Sequence, residues 1–306
     1  MWINLLKRIV VLTMAFVSLL PSSDGKKYAD YCGDYDFPRI GAEQQQPDTV
    51  RVMSFNIRCA DVNGVNVSDR IGIAVRQIKE VMPDTMGVQE ATPEWMKALD
   101  KKLPLYGWVG LDRDTGESAI KIGESCPIFY LKAKYKLVDS GSFWVSDTPD
   151  VPSRGPGAAC VRICTWVKLE DRKTGETFVH VNTHYDHVSE EARVQGALIV
   201  TRFIEENFAD VPVVFTADMN TSEKGEAYAT MTKNLADARF TAPDCVTYGT
   251  FHAGKDPNQR ADYYIDFLLF SQGFTPVAYR TLTRGIDGRF VSDHFPIYAD
   301  LKINNE

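Results

Sequence analysis

The chain has 306 residues, 44% of them hydrophobic and 11% aromatic, a make-up that supports a folded core and excludes a disordered or low-complexity protein. Length alone allows two small domains or one large one. The formal net charge of −7 makes a poor non-specific binder of polyanions, which weighs against a dedicated nuclease for long nucleic acid.

Taken in chain order, Lys7 and Arg8 precede an apolar run over residues 9–20, closed by Pro21-Ser22-Ser23. The run is too short to span a bilayer and fits a signal peptide over 1–23. The expected location is therefore periplasmic or secreted, with no stable membrane insertion after its removal. Removal takes two cations and no acids, so the charge of −7 falls to about −9. Residues 24–49 are polar and read as a surface lead-in to one domain over 50–306. Alternation predicts a strand over 50–56, and helical spacing predicts a helix over 69–81 capped by Ser68. A buried strand over 85–89 then delivers Glu90, and a helix runs from Pro93 to about Lys101. Short β-type runs follow at 127–130, 135–138, 142–145, 161–169 and 177–182, the last two joined by a hairpin turn at 171–175. A long helix with Ser189 as cap spans 189–206. Strands over 211–217, 262–270 and 295–301 complete the set. Helices on the outer faces of a strand-rich core are the economical arrangement.

The six cysteines match no zinc spacing. Cys160 and Cys164, four apart on one predicted strand, would lie roughly 13 Å from each other, too far to bridge. Most of the six read as core fillers.

Polar residues recur at the strand ends: Asn56, Glu90, His184, Asp218 with Asn220, Asp266, and Asp293 with His294. Each has an ordinary reading when taken alone. Glu90 reads as a solvated loop residue, Asp218-Met219-Asn220 as an Asx turn, and Asp266 as an edge-strand surface acid. Together they are the composition of a phosphate-ester hydrolase assisted by a hard metal ion. Glu90 and Asp293 suit the ion, with Asn56 as ligand or support. Strand alternation sets Asp218 and Asn220 on one face, about 7 Å apart, to align or deprotonate water. An acid inside an apolar strand needs a partner, and Asp266 finds it in the His294 imidazole. A zinc site at His184, Asp186 and His187 competes, but the metalloprotease helix pattern is absent. A serine hydrolase lacks its nucleophile elbow.

Met53-Ser-Phe-Asn-Ile-Arg58, Gly87-Val-Gln-Glu90, Asn182-Thr-His184, Asp218-Met-Asn220, Ile265-Asp-Phe-Leu-Leu269 and Ser292-Asp-His294 occur in the order of the endonuclease/exonuclease/phosphatase superfamily, which residues 50–301 resemble. Within it, Phe143-Trp-Val-Ser-Asp-Thr-Pro149 and the stretch from Asn182 to Arg193 look like a secreted or periplasmic bacterial group similar to the carbon-catabolite-repressor and nocturnin-type exonucleases. The resemblance implies an α+β fold, a four-layer αββα sandwich of two packed mixed β-sheets, and dependence on Mg2+ or Mn2+. It assigns Glu90 to the metal, Asp218 and Asn220 to nucleophile and metal, His294 with Asp266 to the acid–base or phosphate-binding pair, and His184 to phosphate, while Asn56 and Asp293 stand at the metal on the reading of the residues. Arg58, Arg162 and Asp186 become candidates for substrate binding. Two departures at the expected pocket rim, the missing tryptophans of 61–70 and 153–160, leave the substrate open. The expected activity is hydrolysis of a small phosphate ester such as a sugar phosphate, nucleotide or lipid headgroup. The alternatives are an exonuclease or endonuclease on RNA or DNA and a non-catalytic binding module on the same fold.

Overall fold

The computed structural model describes residues 37–304 apart from positions 63 and 288; the expected signal peptide and Cys32 lie outside the described residues. One sheet holds seven strands: β1 (Val50–Asn56), β2 (Thr85–Gln89), β3 (Tyr106–Val109), β4 (Ile128–Leu131), β10 (Asp244–Val246), β12 (Phe274–Thr281) and β13 (Ile297–Ile303), in the order β10-β12-β13-β1-β2-β4-β3. The other holds β5 (Tyr135–Trp144), β6 (Ile163–Asp171), β7 (Thr177–His184), β8 (Val213–Asp218), β9 (Ala236–Asp237) and β11 (Asp266–Phe270), in the order β5-β6-β7-β8-β11-β9. The pairs β1–β2, β7–β8 and β10–β12 are parallel and the remaining pairs antiparallel, so both sheets are mixed. The helices are α1 (Val67–Val81), α2 (Pro93–Lys102), α3 (Glu190–Phe208), α4 (Glu226–Met231) and α5 (Ala238–Thr241).

Strand parity sorts the side chains into layers. Met53 and Phe55 of β1 pack with Ala74 and Ile78 of α1 and Trp95 of α2. Val50 and Val52, the alternate residues, pack with Phe178, Val214 and Leu268 of the other sheet. Val213, Phe215, Phe267 and Leu269 turn the opposite way, onto Ala197, Val200 and Ile204 of α3. These faces give the expected four layers, and each fully buried aliphatic or aromatic side chain contributes about 1.5–3 kcal/mol. Even-numbered positions of β1, β7, β8 and β11 thus face the gap between the sheets. Asn56, His184, Asp218 and Asp266 are even-numbered and terminal, so they sit where that gap opens.

The gap itself carries a polar seam. His180 joins Thr85 Oγ1 and Thr216 Oγ1, each at 2.8 Å, while Asn182 Oδ1 accepts from Thr216 Oγ1 at 3.0 Å and from Gln89 Nε2 at 2.7 Å. Burial brings the His180 imidazole down to about 3, so it is neutral. Gly87 makes room for the seam: a Cβ there would meet Thr216 Oγ1 at 2.1 Å.

Several expectations change in detail. The cap of α1 is Asn66, whose side chain accepts from Asp69 N–H, and not Ser68. The runs at 135–138 and 142–145 are one strand, β5, carried through an irregularity between Leu137 and Asp139 that hides its period. Strands β3 and β12 lacked a legible alternation. Cys160 precedes β6, so it shares no strand with Cys164. Only Cys126 and Cys164 of the described cysteines are buried; Cys59, Cys160 and Cys245 are partly exposed, and all five are free thiols.

Candidate active site

Asp218 is the hub. β8 pairs with β7 and β11 so that Asp218 lies level with His184 on one side and Asp266 on the other. Its Oδ2 accepts from Asn56 Nδ2 at 2.8 Å and lies 3.3 Å from His184 Nε2 and 3.7 Å from His294 Nε2. Its Oδ1 accepts from the Asn220 N–H at 2.9 Å. Burial pushes the Asp218 carboxyl up to about 7; His294 opposes that rise and Asp266 adds to it.

His294 Nδ1 donates to Asp266 Oδ2 at 2.9 Å, the pairing expected from the sequence. Burial disfavours the imidazolium, but Asp266, Asp218 and Asp293 outweigh it and push His294 up to about 10. A charged ring is thereby held with Nε2 toward Asp218. Its loop is fastened from below. Thr250 carbonyl accepts from Phe295 N–H at 2.7 Å, Thr250 Oγ1 accepts from Asp266 N–H at 3.2 Å, and the Phe251 ring lies 4.7 Å from the imidazole.

Three site residues adopt left-handed backbone: Arg58 (φ 60°), Glu90 (φ 61°) and Asn220 (φ 49°). Such residues store about 1–3 kcal/mol each and persist where the surroundings over-determine them. For Glu90 the reason is visible. Val88, two residues before it, packs in the outer cluster with the helices, so regular strand geometry would carry Glu90 outward. The left-handed turn swings it to Asn56, which donates to Oε1 at 3.0 Å, while Cys59 N–H donates to Oε2 at 2.9 Å. Burial pushes the Glu90 carboxyl up, but the hydrogen bonds from Cys59 and Asn56 oppose it, and Glu90 is held well below the usual carboxylate range. Asn220 also reaches the site by a turn and not by alternation. Its Nδ2 donates to His184 Nε2 at 2.8 Å and to the Tyr185 carbonyl at 3.1 Å. Both readings of Asp218-Met219-Asn220 hold at once: it is an Asx turn, and it builds the site.

With Nε2 accepting from Asn220, the neutral His184 ring carries its proton on Nδ1, which is buried without a protein partner. Burial and the Arg162 guanidinium keep that ring well below its ordinary value.

Residues 53–294 match the model of the Endonuclease/Exonuclease/phosphatase family. The chain belongs to that family. An endonuclease/exonuclease/phosphatase from Bacteroides vulgatus is 36% identical with a TM-score of 0.78, over 84% of this chain and 99% of that one. A mannosyl-6-phosphatase from Bacteroides thetaiotaomicron is 31% identical with a TM-score of 0.76, over 82% and 99%. The human Nocturnin catalytic domain, at 18% identity and a TM-score of 0.67, shares the fold. A curated relative, an uncharacterised protein of Acanthamoeba polyphaga mimivirus, is 27% identical over 168 residues; the match spans 61% of that protein. The family's members are metal-dependent phosphoesterases, nucleases and phosphatases.

The donors fit a hard divalent ion of the kind the family uses. Glu90, His184 and Asp218 offer ligand atoms within 4.8 Å of one another; Asn56 orients the two carboxylates by donating its NH2 to both, while its Oδ1 accepts from Arg58 N–H. A cation already stands at the mouth: Arg58 places Nη1 3.8 Å from Glu90 Oε1 and Nε 3.7 Å from Asp293 Oδ2. Asp293 therefore flanks the mouth through Arg58.

Asp186 is a correction. Its Oδ1 accepts from Val188 and Ser189 N–H, each at 2.9 Å, and its Oδ2 from Ala159 N–H at 2.8 Å. The carboxylate is bound to the protein's own backbone, fixing the start of α3, so it supports the rim instead of binding substrate. The same bonds argue against zinc at Cys160, Asp186 and His187, although their ligand atoms lie within 4.8 Å.

Two contributors carried no sequence signal. Arg70 of α1 is buried and donates to the carbonyls of Ile57, Arg58, Ala60 and Val291, tying the Arg58 loop to the His294 loop. Glu124, in the β3–β4 connection, is set beside Glu90 by the Ala91–Ser125 pairing, and burial together with the Glu90 charge raises its carboxyl although Arg113 opposes the rise.

Proposed function

We propose that the protein is an Mg2+- or Mn2+-dependent phosphomonoesterase acting on a small phosphorylated sugar, exported by its N-terminal segment. The observation that carries this reading is the group of Asp218, His294–Asp266 and His184 at the open end of the sandwich, beside the ionised Glu90. The likeness to the Bacteroides mannosyl-6-phosphatase over nearly the whole of that chain supports the choice of substrate class. So does the acidic charge, since tracking a long polyanion needs a basic groove.

Glu90 would hold the ion, its carboxylate oriented by Asn56, with Asp293 at the mouth. When bound, it would neutralise charge on the phosphoryl oxygens. Asp218, whose carboxyl stands near neutrality and is gripped by Asn56 and Asn220, accepts the proton of the attacking water. His294, kept charged by Asp266, stabilises the negative charge that builds on the phosphoryl group. His184 Nδ1–H is a ready donor to a non-bridging oxygen. Asn220 fixes that tautomer, and Arg58 counters the ester's charge at the entrance.

The test is phosphate release, with Mg2+ or Mn2+ and after chelation, from hexose phosphates, mononucleotides, a lipid phosphate and a long oligonucleotide at two ionic strengths. The expected result is metal-dependent release, fastest from a hexose phosphate. Preference for the oligonucleotide, lost as salt rises, would leave the exonuclease reading instead.

A further inference from the structure

Beyond the phosphate-handling groups, one wall of the cleft is built from charges that the reaction does not use. The 110–127 connection between β3 and β4 is bolted beside Glu90. Ala91 and Ser125 exchange both backbone hydrogen bonds, at 3.2 and 2.9 Å, and Arg113 N–H donates to the Glu124 carbonyl at 2.9 Å. Within the connection, Asp112 Oδ1 accepts from Thr115 N–H and Oγ1–H, both at 2.7 Å, so the loop is rigid by its own bonds. The Trp144 indole N–H donates to the Arg113 carbonyl at 2.6 Å. The Arg113 guanidinium pairs with the Glu124 carboxylate. Arg162, just before β6, joins the same wall: its carbonyl accepts from Val145 N–H at 2.9 Å, next to Trp144, whose indole holds Arg113.

The wall is under-satisfied in a way that points to a ligand. The Arg162 side chain is only 6% exposed, yet its one hydrogen bond runs from Nη2 to His187 Nδ1 at 3.1 Å, and Asp186 Oδ2 stands 4.0 Å from Nε. The Nε atoms of Arg162 and Arg113 are both buried without a hydrogen bond, with Asp114 Oδ2 standing 3.9 Å from Arg113 Nε. Buried donors left unpaired cost about 1–3 kcal/mol each, which a bound acceptor would recover. The chemistry of the wall is specific. A carboxylate paired with one guanidinium, with a second guanidinium on the same wall, offers acceptors and donors together, the complement of hydroxyl groups, each of which both donates and accepts. None of the three side chains offers the apolar surface a lipid tail needs.

We infer that Arg113, Glu124 and Arg162 form the specificity subsite that holds the hydroxyl-bearing part of the phosphate ester, selecting a sugar phosphate over esters of equal charge without hydroxyls. The inference rests on the phosphoesterase reading above. The sugar ring lies along the wall while its phosphate reaches His184 and His294. The three side chains act as binding and selecting groups and take no part in bond breaking.

The experiment compares Glu124→Gln and Arg162→Met with the wild type, using a hexose phosphate and p-nitrophenyl phosphate with Mg2+. Direct binding of the free hexose is measured alongside by calorimetry. Each variant is expected to lower the ratio of the two kcat/KM values by about tenfold or more, chiefly through KM for the hexose phosphate, and to abolish hexose binding. Equal losses on both substrates, rescued by raised Mg2+, would move Glu124 to the metal and overturn the assignment, as would an unchanged ratio. If the wild type released phosphate from neither ester, the phosphoesterase reading would fail. The subsite would then stand or fall on hexose binding, lost in the variants or retained.

Discussion

The two ends of the β-sandwich bury charge in opposite ways. At the end where β1 starts, Arg51 donates to both oxygens of Asp300 at 2.7 and 2.8 Å, and to the carbonyls of Glu43 and Val81 at 2.7 and 3.2 Å. Asp84 Oδ2 accepts from Arg51 N–H, Gln45 Nε2 and Lys134 Nζ, at 2.8, 2.7 and 2.8 Å. Opposite charges meet there at hydrogen-bonding distance, and donors are matched to acceptors. At the end where β1 finishes, two acids crowd one imidazolium, Asp218 is pushed up to about 7, and His184 Nδ1 has no protein partner. Equal burial with unequal satisfaction separates a group that holds the fold from one prepared to meet a ligand.

The largest effects should come from breaking the unsatisfied end. His294→Ala and Asp218→Asn should each lower phosphoesterase turnover per folded molecule by about 10²–10⁴-fold. Removing Asp266 and His294 together should cost less than the product of the two single losses, because they act as a pair. Fully multiplicative losses in steady-state kinetics would show that the pair does not work as a unit.

Breaking the satisfied end should do the reverse. Asp300→Ala leaves Arg51 buried without its carboxylate and should lower stability by about 3–5 kcal/mol in urea titration. Turnover per folded molecule should stay near the wild-type value. A folded Asp300→Ala protein without activity would erase the distinction between the ends.

A pH series sharpens the comparison within the site. In metal-free protein, His294 stands at about 10 in the folded state against an ordinary value of 6.5. A raised folded value binds the proton more tightly on folding. The stability it contributes is therefore complete below about pH 6.5 and is lost as pH rises toward 10. Melting temperatures should decline across that window and flatten in His294→Ala; an equal decline in the variant would contradict the pairing.

The smallest effect belongs to the half-exposed rim. Arg58 meets Glu90 and Asp293 only at 3.8 and 3.7 Å, and ion pairs of this kind are worth about 1 kcal/mol or less. Arg58→Met should therefore change kcat/KM by about fivefold or less. A loss as deep as that of His294→Ala would place Arg58 among the reacting groups.

Much of this contrast is legible in the order of the residues. Period-two alternation marks β1, β-rich and apolar runs mark β7 and β8, and a carboxylate, amide or imidazole at the end of an apolar run is a local anomaly that residue order exposes. Asp266 drew notice because a lone acid inside Tyr264-Ile-Asp-Phe-Leu-Leu269 needs a partner, and the partner proved to be His294. Asp186 misled because its neighbours His184 and His187 lent it their chemistry, while the backbone N–H groups that occupy it follow from a loop path no spacing reveals.

The sequence by itself determined which residues end each strand and which face each would take, because parity and propensity act over a few residues. Only the tertiary structure decided how those ends converge. Asp218 meets His184 and Asp266 through strand register, and Glu90 turns inward through a left-handed residue that only surrounding contacts sustain. Arg70 grips carbonyls up to 221 positions away, and Glu124 stands beside Glu90 because Ser125 pairs with Ala91 across the gap between two loops. The shifted charges of Asp218 and His294 belong to the same level, since burial and a neighbour's charge exist only once distant segments are packed together.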